Sequence, residues 1–270
     1  AVLLPDDLAQ RLLQRETAAV QFLIDGSDSN MALQAQAAAM GLATSFSRRL
    51  AAEAPAPPIE ARPRLLYNPD GRSEAFFVPG LLGIILQLVT TTLTAFAIVR
   101  ERERGTLEQL MVTPVSRLAL TFGKILPSVL VGAAATVLAL LAMVRVFAVP
   151  IRGDMALLAG LTGLFLFTSL AIGLLISAVA RTQLQALMMT LMLMLPSVLL
   201  SGFMFPRDAM PTPIRELTWL IPATYFIEIM RGVVLRAASA PELLRFIVPL
   251  AALGVAFYVL AALRFRKYVA

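Results

Sequence analysis

The residues best equipped for chemistry in this chain are three carboxylates, Glu101, Glu103 and Glu108, interleaved with Arg100, Arg102 and Arg104 in the stretch RERERGTLEQLMVTP at 100–114. Carboxylates and guanidinium groups at this spacing make ion pairs and charge-assisted hydrogen bonds. The chain has no His and no Cys, which excludes thiol nucleophiles, Cys or His metal sites, and Ser-His or HExxH hydrolases. A second set, Asp25, Asp28 and Asn30 in DGSDSN, offers oxygen ligands of the kind calcium takes. It lacks the glycine spacing and terminal Glu of an EF-hand loop, and a turn leading into a helix N-cap is the better account.

The elements that carry these residues are set by an apolar composition. Of 270 residues, 59% are hydrophobic and 15% charged, and the mean hydropathy is +0.80, well beyond a soluble domain. Runs at about 79–99, 125–146, 157–180, 184–205 and 246–263 are each long enough to span a bilayer as a helix. They lack Asp, Glu and Lys, and their one Arg, Arg145, ends the second run, where it can snorkel to the interface. The fold class expected is therefore an all-α polytopic membrane protein. Basic residues sit at the ends of apolar runs rather than in a stripe, so the net charge of +6 points to membrane orientation and not to nucleic acid.

Lys and Arg in the loop 100–124 and at Arg264, Arg266 and Lys267 place both segments, and the C-terminus, in the cytoplasm. The parity then puts residues 1–77 outside as an extracytoplasmic domain, with an upstream first helix expected in a parent chain of six spans. Within 1–77, TAAVQFLID reads as a strand followed by a turn and a long helix. A Pro-rich linker from Pro55 to Pro63 and a second strand at Arg64–Tyr67 follow, giving a small α/β domain. Residues 78–270 form the transmembrane domain.

The loop 100–124 has a helix of its own. Thr106 and Gln109 have capping-box spacing, Leu107, Leu110 and Met111 share a face, and Pro114 ends the turn. Gly105 is the hinge before it. Its arginines are accounted for by orientation, either within a solvated loop or a docking one, but acidic residues contribute little to orientation. Glu101, Glu103 and Glu108 read as contacts.

ERERGTLEQLMVTP directly after an apolar span resembles the cytoplasmic loop of type 2 ABC exporter permeases, the bacterial multidrug and antibiotic-resistance subgroup. VQFLIDGSDSN, VPGLLGIIL, SGFMFPRDAMP and IPATYFIEIMRGVVL resemble the same subgroup, so the likeness covers almost the whole chain. The resemblance implies a multi-pass bacterial inner-membrane permease that works as a homo- or heterodimer with ABC ATPase subunits, with or without a periplasmic accessory protein. It makes Glu101, Glu103, Gly105, Thr106, Leu107, Glu108 and Leu110 the ATPase-coupling contacts. ATP and Mg would be bound by the partner, and no cofactor is expected in this chain, which has no G-x-x-x-x-G-K-[ST] phosphate loop.

The outer loop 206–245 contains WLIPATYFIEIMRG, too short to span and bracketed by aromatics, which fits an interfacial or re-entrant helical pair. The resemblance makes it an outer gate with Pro222, Tyr225, Glu228 and Arg231 as candidates. The residues alone are equally compatible with an aromatic belt at Trp219 and Tyr225 and a simple i, i+3 pair of Glu228 with Arg231. Ser169, Gly173 and Ser177 form a stripe suited to close helix packing, while Met188, Met189, Met192 and Met194 add flexible apolar surface. Export of a hydrophobic or amphipathic compound by alternating access is the leading expectation. An ion-coupled carrier or channel using Gln87, Thr90–Thr92 and Thr94, and a membrane scaffold with an outer sensing domain, are the alternatives.

Overall fold

The computed structural model describes residues 1–270 apart from 15, 27–28, 52–58, 69–71, 106–116, 208–209 and 267–270. They fall into two compact units, Ala1–Phe76 and Phe77–Ala270.

In the first unit, β1 (Val2–Leu3), α1 (Leu8–Leu13), β2 (Ala18–Asp25), α2 (Ser29–Ala51) and β3 (Ile59–Leu66) build a three-stranded sheet in the order β1-β2-β3. β1 runs antiparallel to β2 and β3 parallel to it, with Phe22 opposite Pro63. The linker expected through Pro63 is thus a strand from Ile59 onward. Proline is compatible with this because β3 lies at the sheet edge, where a missing N–H need leave no ladder bond unmade. α2 packs on β2 and β3, burying Ala32, Ala39 and Ala43 along one side while β2 buries Ala18, Val20 and Ile24. Ser47 pins the helix to the start of β3, its hydroxyl donating to the Ile59 carbonyl and accepting from the Ile59 amide. At the turn after β2, Asp25 and Gly26 are described and Asp28 lies outside the described residues; the Gly26 amide donates to the Leu66 carbonyl.

Among the described residues, five helices are long and apolar enough to cross a membrane: α3 (Ser73–Glu103), α4 (Arg117–Arg145), α5 (Met155–Val179), α6 (Gln183–Leu200) and α9 (Ala240–Arg266). At 31 residues, α3 is about 46 Å long, well over the roughly 30 Å of a hydrocarbon core. The fourth apolar run stops sooner than its composition suggests, since α6 ends at Leu200 and Gly202 turns the chain with φ +85°. Between α6 and α9 lie α7 (Thr212–Leu217), a 3-10 turn (Thr218–Leu220) and α8 (Pro222–Arg236).

α9 packs along α5 and against α8, and α8 also packs on α5 and α6. Phe165 of α5 stacks on Phe226 of α8 with centroids 4.0 Å apart and both rings fully buried, worth about 0.5–1.5 kcal/mol beyond area burial. The Ser169–Gly173–Ser177 stripe faces α3 within the unit: the Thr91 hydroxyl donates to the Ser169 carbonyl, and a Cβ on Gly173 would meet the Thr91 carbonyl oxygen at 2.7 Å. The four methionines of α6 divide, with Met188 and Met192 exposed, Met194 buried beside Ile84 and Ile227, and Met189 packed against Val99 and Ile176.

One side of α3 is polar. Gln87, Thr90, Thr91 and Thr94, at i, i+3, i+4 and i+7, are fully buried. The Gln87 amide nitrogen lies 3.5 Å from the Ser197 hydroxyl, and the Thr94 hydroxyl donates to the Thr90 carbonyl. The Gln87 carbonyl oxygen and the Thr90 hydroxyl have no hydrogen-bond partner among the described residues.

Candidate functional site

Two places collect the charged and aromatic residues. The first is the end of α3. Arg102 and Glu103 are neighbours in sequence, and each reaches a different helix end. The Arg102 Nη1 donates to the carbonyls of Ser177 and Ala180 at 2.8 and 2.7 Å, oxygens at the C-terminus of α5 that lack intrahelical partners. Glu103 Oε2 accepts from the Gln183 side-chain nitrogen at 2.8 Å and from its backbone N–H at 3.3 Å, at the first residue of α6. A cation at a C-terminus and an anion at an N-terminus both match the helix dipoles.

The turn between these helix ends is short. Thr182 caps α6, accepting from the Gln185 amide, and Gln185 Oε1 accepts from the Arg181 amide, a near relative of the capping box. The spacing Thr182-x-x-Gln185 was legible in the sequence. The contacts of Arg102 were not, because backbone carbonyls 75 and 78 residues away leave no mark on residue types. Beneath the charges, Val99, Ile176, Ala180 and Ala186 form an apolar cluster shared by α3, α5 and α6.

Glu101 lies half-buried in the last turn of α3, and Gly105 leaves the helix with φ +72°. Thr106, Leu107, Glu108 and Leu110, together with Gln109, Met111 and Pro114, lie outside the described residues.

The second place is the helical pair between α6 and α9. Thr212–Leu220 and Pro222–Arg236 meet at 86°. The bend falls at Ile221, whose backbone is extended (φ −98°, ψ 112°), as the residue before proline prefers. Pro222 then opens α8 at a position where its missing N–H costs nothing. All of α8 except Glu228 and Arg236 is buried, so it is an interior helix rather than a surface one.

The expected pair forms: Arg231 Nη1 is 3.8 Å from Glu228 Oε1, and it also donates to the Gly202 carbonyl at 3.1 Å. Tyr225 donates its hydroxyl to the Trp219 carbonyl at 2.7 Å, with the two rings 5.7 Å apart. Arg207 lies over the Trp219 ring at 4.0 Å and donates to the Thr218 hydroxyl, a cation-π contact. Arg152 closes the far end of α8 through its backbone N–H to the Val234 carbonyl and its guanidinium to the Leu235 carbonyl. Pro222, Tyr225, Glu228 and Arg231 therefore sit on one helix, with Tyr225 and Arg231 fastening it to the segments before it.

Replacing Tyr225 by Phe removes one hydrogen bond and leaves the ring. The expected loss is about 1 kcal/mol, read as a small fall in melting temperature in detergent with Trp219 fluorescence otherwise preserved.

Taken together, the apolar spans and the bent buried pair define a multi-pass helical membrane protein. The chain matches the model of the ABC-2 family transporter proteins over residues 1–263 and belongs to that family. It is 35% identical over 248 residues to the "Probable multidrug ABC transporter permease YbhS" of Escherichia coli, covering 90% of this chain and 66% of that protein. It is 32% identical over 214 residues to the "Inner membrane transport permease YhhJ" of Escherichia coli, covering 78% of this chain and 57% of that protein. With "ABC transporter G family member 20" of Dictyostelium discoideum the identity is 30% over 180 residues, 66% of this chain and 24% of that protein. The chain thus spans at most about two thirds of the length of these relatives.

Proposed function

We propose that this chain is the membrane-spanning permease part of an ATP-driven exporter that moves a hydrophobic or amphipathic compound outward by alternating access. The observation that carries the reading is the family match along nearly the whole chain, together with relatives whose names describe multidrug and inner-membrane permeases. Energy reaches it from a separate ABC ATPase that docks on the loop 100–124, with Glu101, Glu103, Gly105, Thr106, Leu107, Glu108 and Leu110 as the coupling contacts. A second permease subunit, identical or homologous, completes the pathway, and a periplasmic accessory protein is an optional partner. The protein lies in a bacterial inner membrane with residues 100–124 and the C-terminus in the cytoplasm and the three-stranded domain outside, as the Lys and Arg distribution favours. In this orientation the bent pair with Pro222, Tyr225, Glu228 and Arg231 stands at the outer end of the pathway and gates it.

The test is co-purification with a Walker-motif ATPase, followed by charge reversal at Glu101→Lys and Glu108→Lys. The complex is expected to fold and to hydrolyse ATP while export falls to the vesicle background. Undiminished export with normal substrate-stimulated hydrolysis would remove the coupling assignment.

One observation favours a second reading. The buried polar face of α3, with its unpaired Gln87 oxygen and Thr90 hydroxyl, is the kind of intramembrane polar group that marks ion or substrate paths. Flux in proteoliposomes containing no ATPase would favour an ion-coupled carrier.

A further inference from the structure

The helix-end contacts of Arg102 and Glu103 bear on how movement would travel through the molecule. α5 ends at Val179 and α6 begins at Gln183, so the two helices are joined by a turn too short to let either end move independently. Whatever holds that turn holds both helices. Arg102 grips it from the α5 side and Glu103 from the α6 side, and each sign of charge sits at the helix end whose dipole favours it. Exchanging the two charges would place each against the wrong end.

Position along α3 adds to this. The helix closes just beyond the pair, where the Arg104 amide donates to the Arg100 carbonyl and the Gly105 amide to the Arg102 carbonyl. Gly105 then turns the chain into the loop with a positive φ. The pair is therefore the last rigid point of α3 before the chain leaves it. The apolar cluster beneath, built from Val99, Ile176, Ala180 and Ala186, holds the same helix ends together, but apolar contacts are non-directional. Two hydrogen-bonded charges fix the register of α3 against the turn.

We propose that Arg102 and Glu103 are positioning residues that pass displacement of the loop 100–124 to α5 and α6 as one body. This rests on the exporter reading above. Under it Glu103, one of the coupling contacts, also holds Gln183 of the permease itself, and the contacts persist through the transport cycle.

These 270 residues hold no cysteine, so spin labels can be directed to chosen positions within them. Spin labels are placed at Leu126→Cys on α4 and Leu184→Cys on α6, both exposed, in the permease–ATPase complex in lipid nanodiscs. Their separation is measured with and without vanadate-trapped nucleotide. In the unsubstituted background the separation changes on trapping. In Arg102→Ala, which leaves the coupling contacts in place, the complex still assembles and hydrolyses ATP, but most of the change is lost, and Arg102→Lys restores it in large part. A full change in Arg102→Ala overturns the proposal, because the remaining contacts then suffice. Loss of ATPase binding in that variant also overturns it, because the pair then serves docking rather than transmission. An unsubstituted complex whose labels do not move on trapping overturns it as well. Failure of the exporter reading is separate and visible first, as an unsubstituted protein that retains no ATPase.

Discussion

Gly173→Ala is expected to loosen α3 from α5 and to cost about 1–3 kcal/mol of stability, the usual range for overpacking a filled interior, with Gly173→Val worse. An added Cβ would lie 2.7 Å from the Thr91 carbonyl oxygen and 2.7 Å from Thr94 Cβ. Neither atom can rotate away, since one is backbone and the other is fixed to it, so α3 itself must shift. The shift is resisted on both sides of the contact, by the Thr91 hydroxyl on the Ser169 carbonyl and by Arg102 on the Ser177 carbonyl. Close approach of helices through small residues is the main source of packing in a bilayer, where no hydrophobic force separates helix from lipid. Gly160, on the same helix with nothing within 4 Å of its added Cβ, supplies the control. Gly160→Ala removes a poor helix former and should hold or raise stability by up to about 1 kcal/mol. Thermal unfolding of the two variants in the same detergent decides the matter, and equal melting temperatures would mean that the α3–α5 contact is not tight.

What could be read from residue types and what could not follow a physical divide. The five spans were legible because a bilayer demands a long apolar run, and each run in the sequence lies within or overlaps one observed helix. The stripe Ser169, Gly173 and Ser177 was legible for the same reason, as small residues one turn apart mark a packing seam. The bent pair was legible from an apolar stretch too short to span with Pro222 inside it, though its depth was not: nothing in PATYFIEIMRGVVLR says that nearly all of α8 is interior. Pro63 misled because proline is read as a linker signal, whereas the edge of a sheet accepts it. Arg102 and Arg152 were the larger omissions. Both end on backbone carbonyls of helices distant in sequence. A backbone acceptor has no residue type, so spacing cannot reveal such a contact. The amphipathic helix expected at 106–111 falls outside the described residues, and its capping pattern stands as a reading of sequence alone.

The second large effect is expected at Arg231. It is 5% exposed within a helix that is otherwise apolar around it, and its guanidinium ties that helix to the turn after α6. It donates to the Gly202 carbonyl and stands 3.8 Å from Glu228 on its own helix. Gly202 holds φ +85°, a conformation open to glycine at little cost, and this turns its carbonyl where the chain reverses after α6. Arg231→Met keeps a stem of similar bulk but removes the donor, leaving a buried carbonyl without that bond. Breaking a buried charge pair from one side costs about 3–5 kcal/mol, and because Glu228 is 29% exposed and can recover water, the lower end applies. Arg231→Lys should fall between, since an ammonium cannot serve carbonyl and carboxylate with one planar fork. Glu228→Gln, which retains an acceptor at the same reach, should cost least. Melting temperatures in the order unsubstituted, Glu228→Gln, Arg231→Lys, Arg231→Met are therefore expected. If Glu228→Gln proves as damaging as Arg231→Met, the ion pair and not the carbonyl contact holds the junction, and the turn at Gly202 is free to move independently of α8.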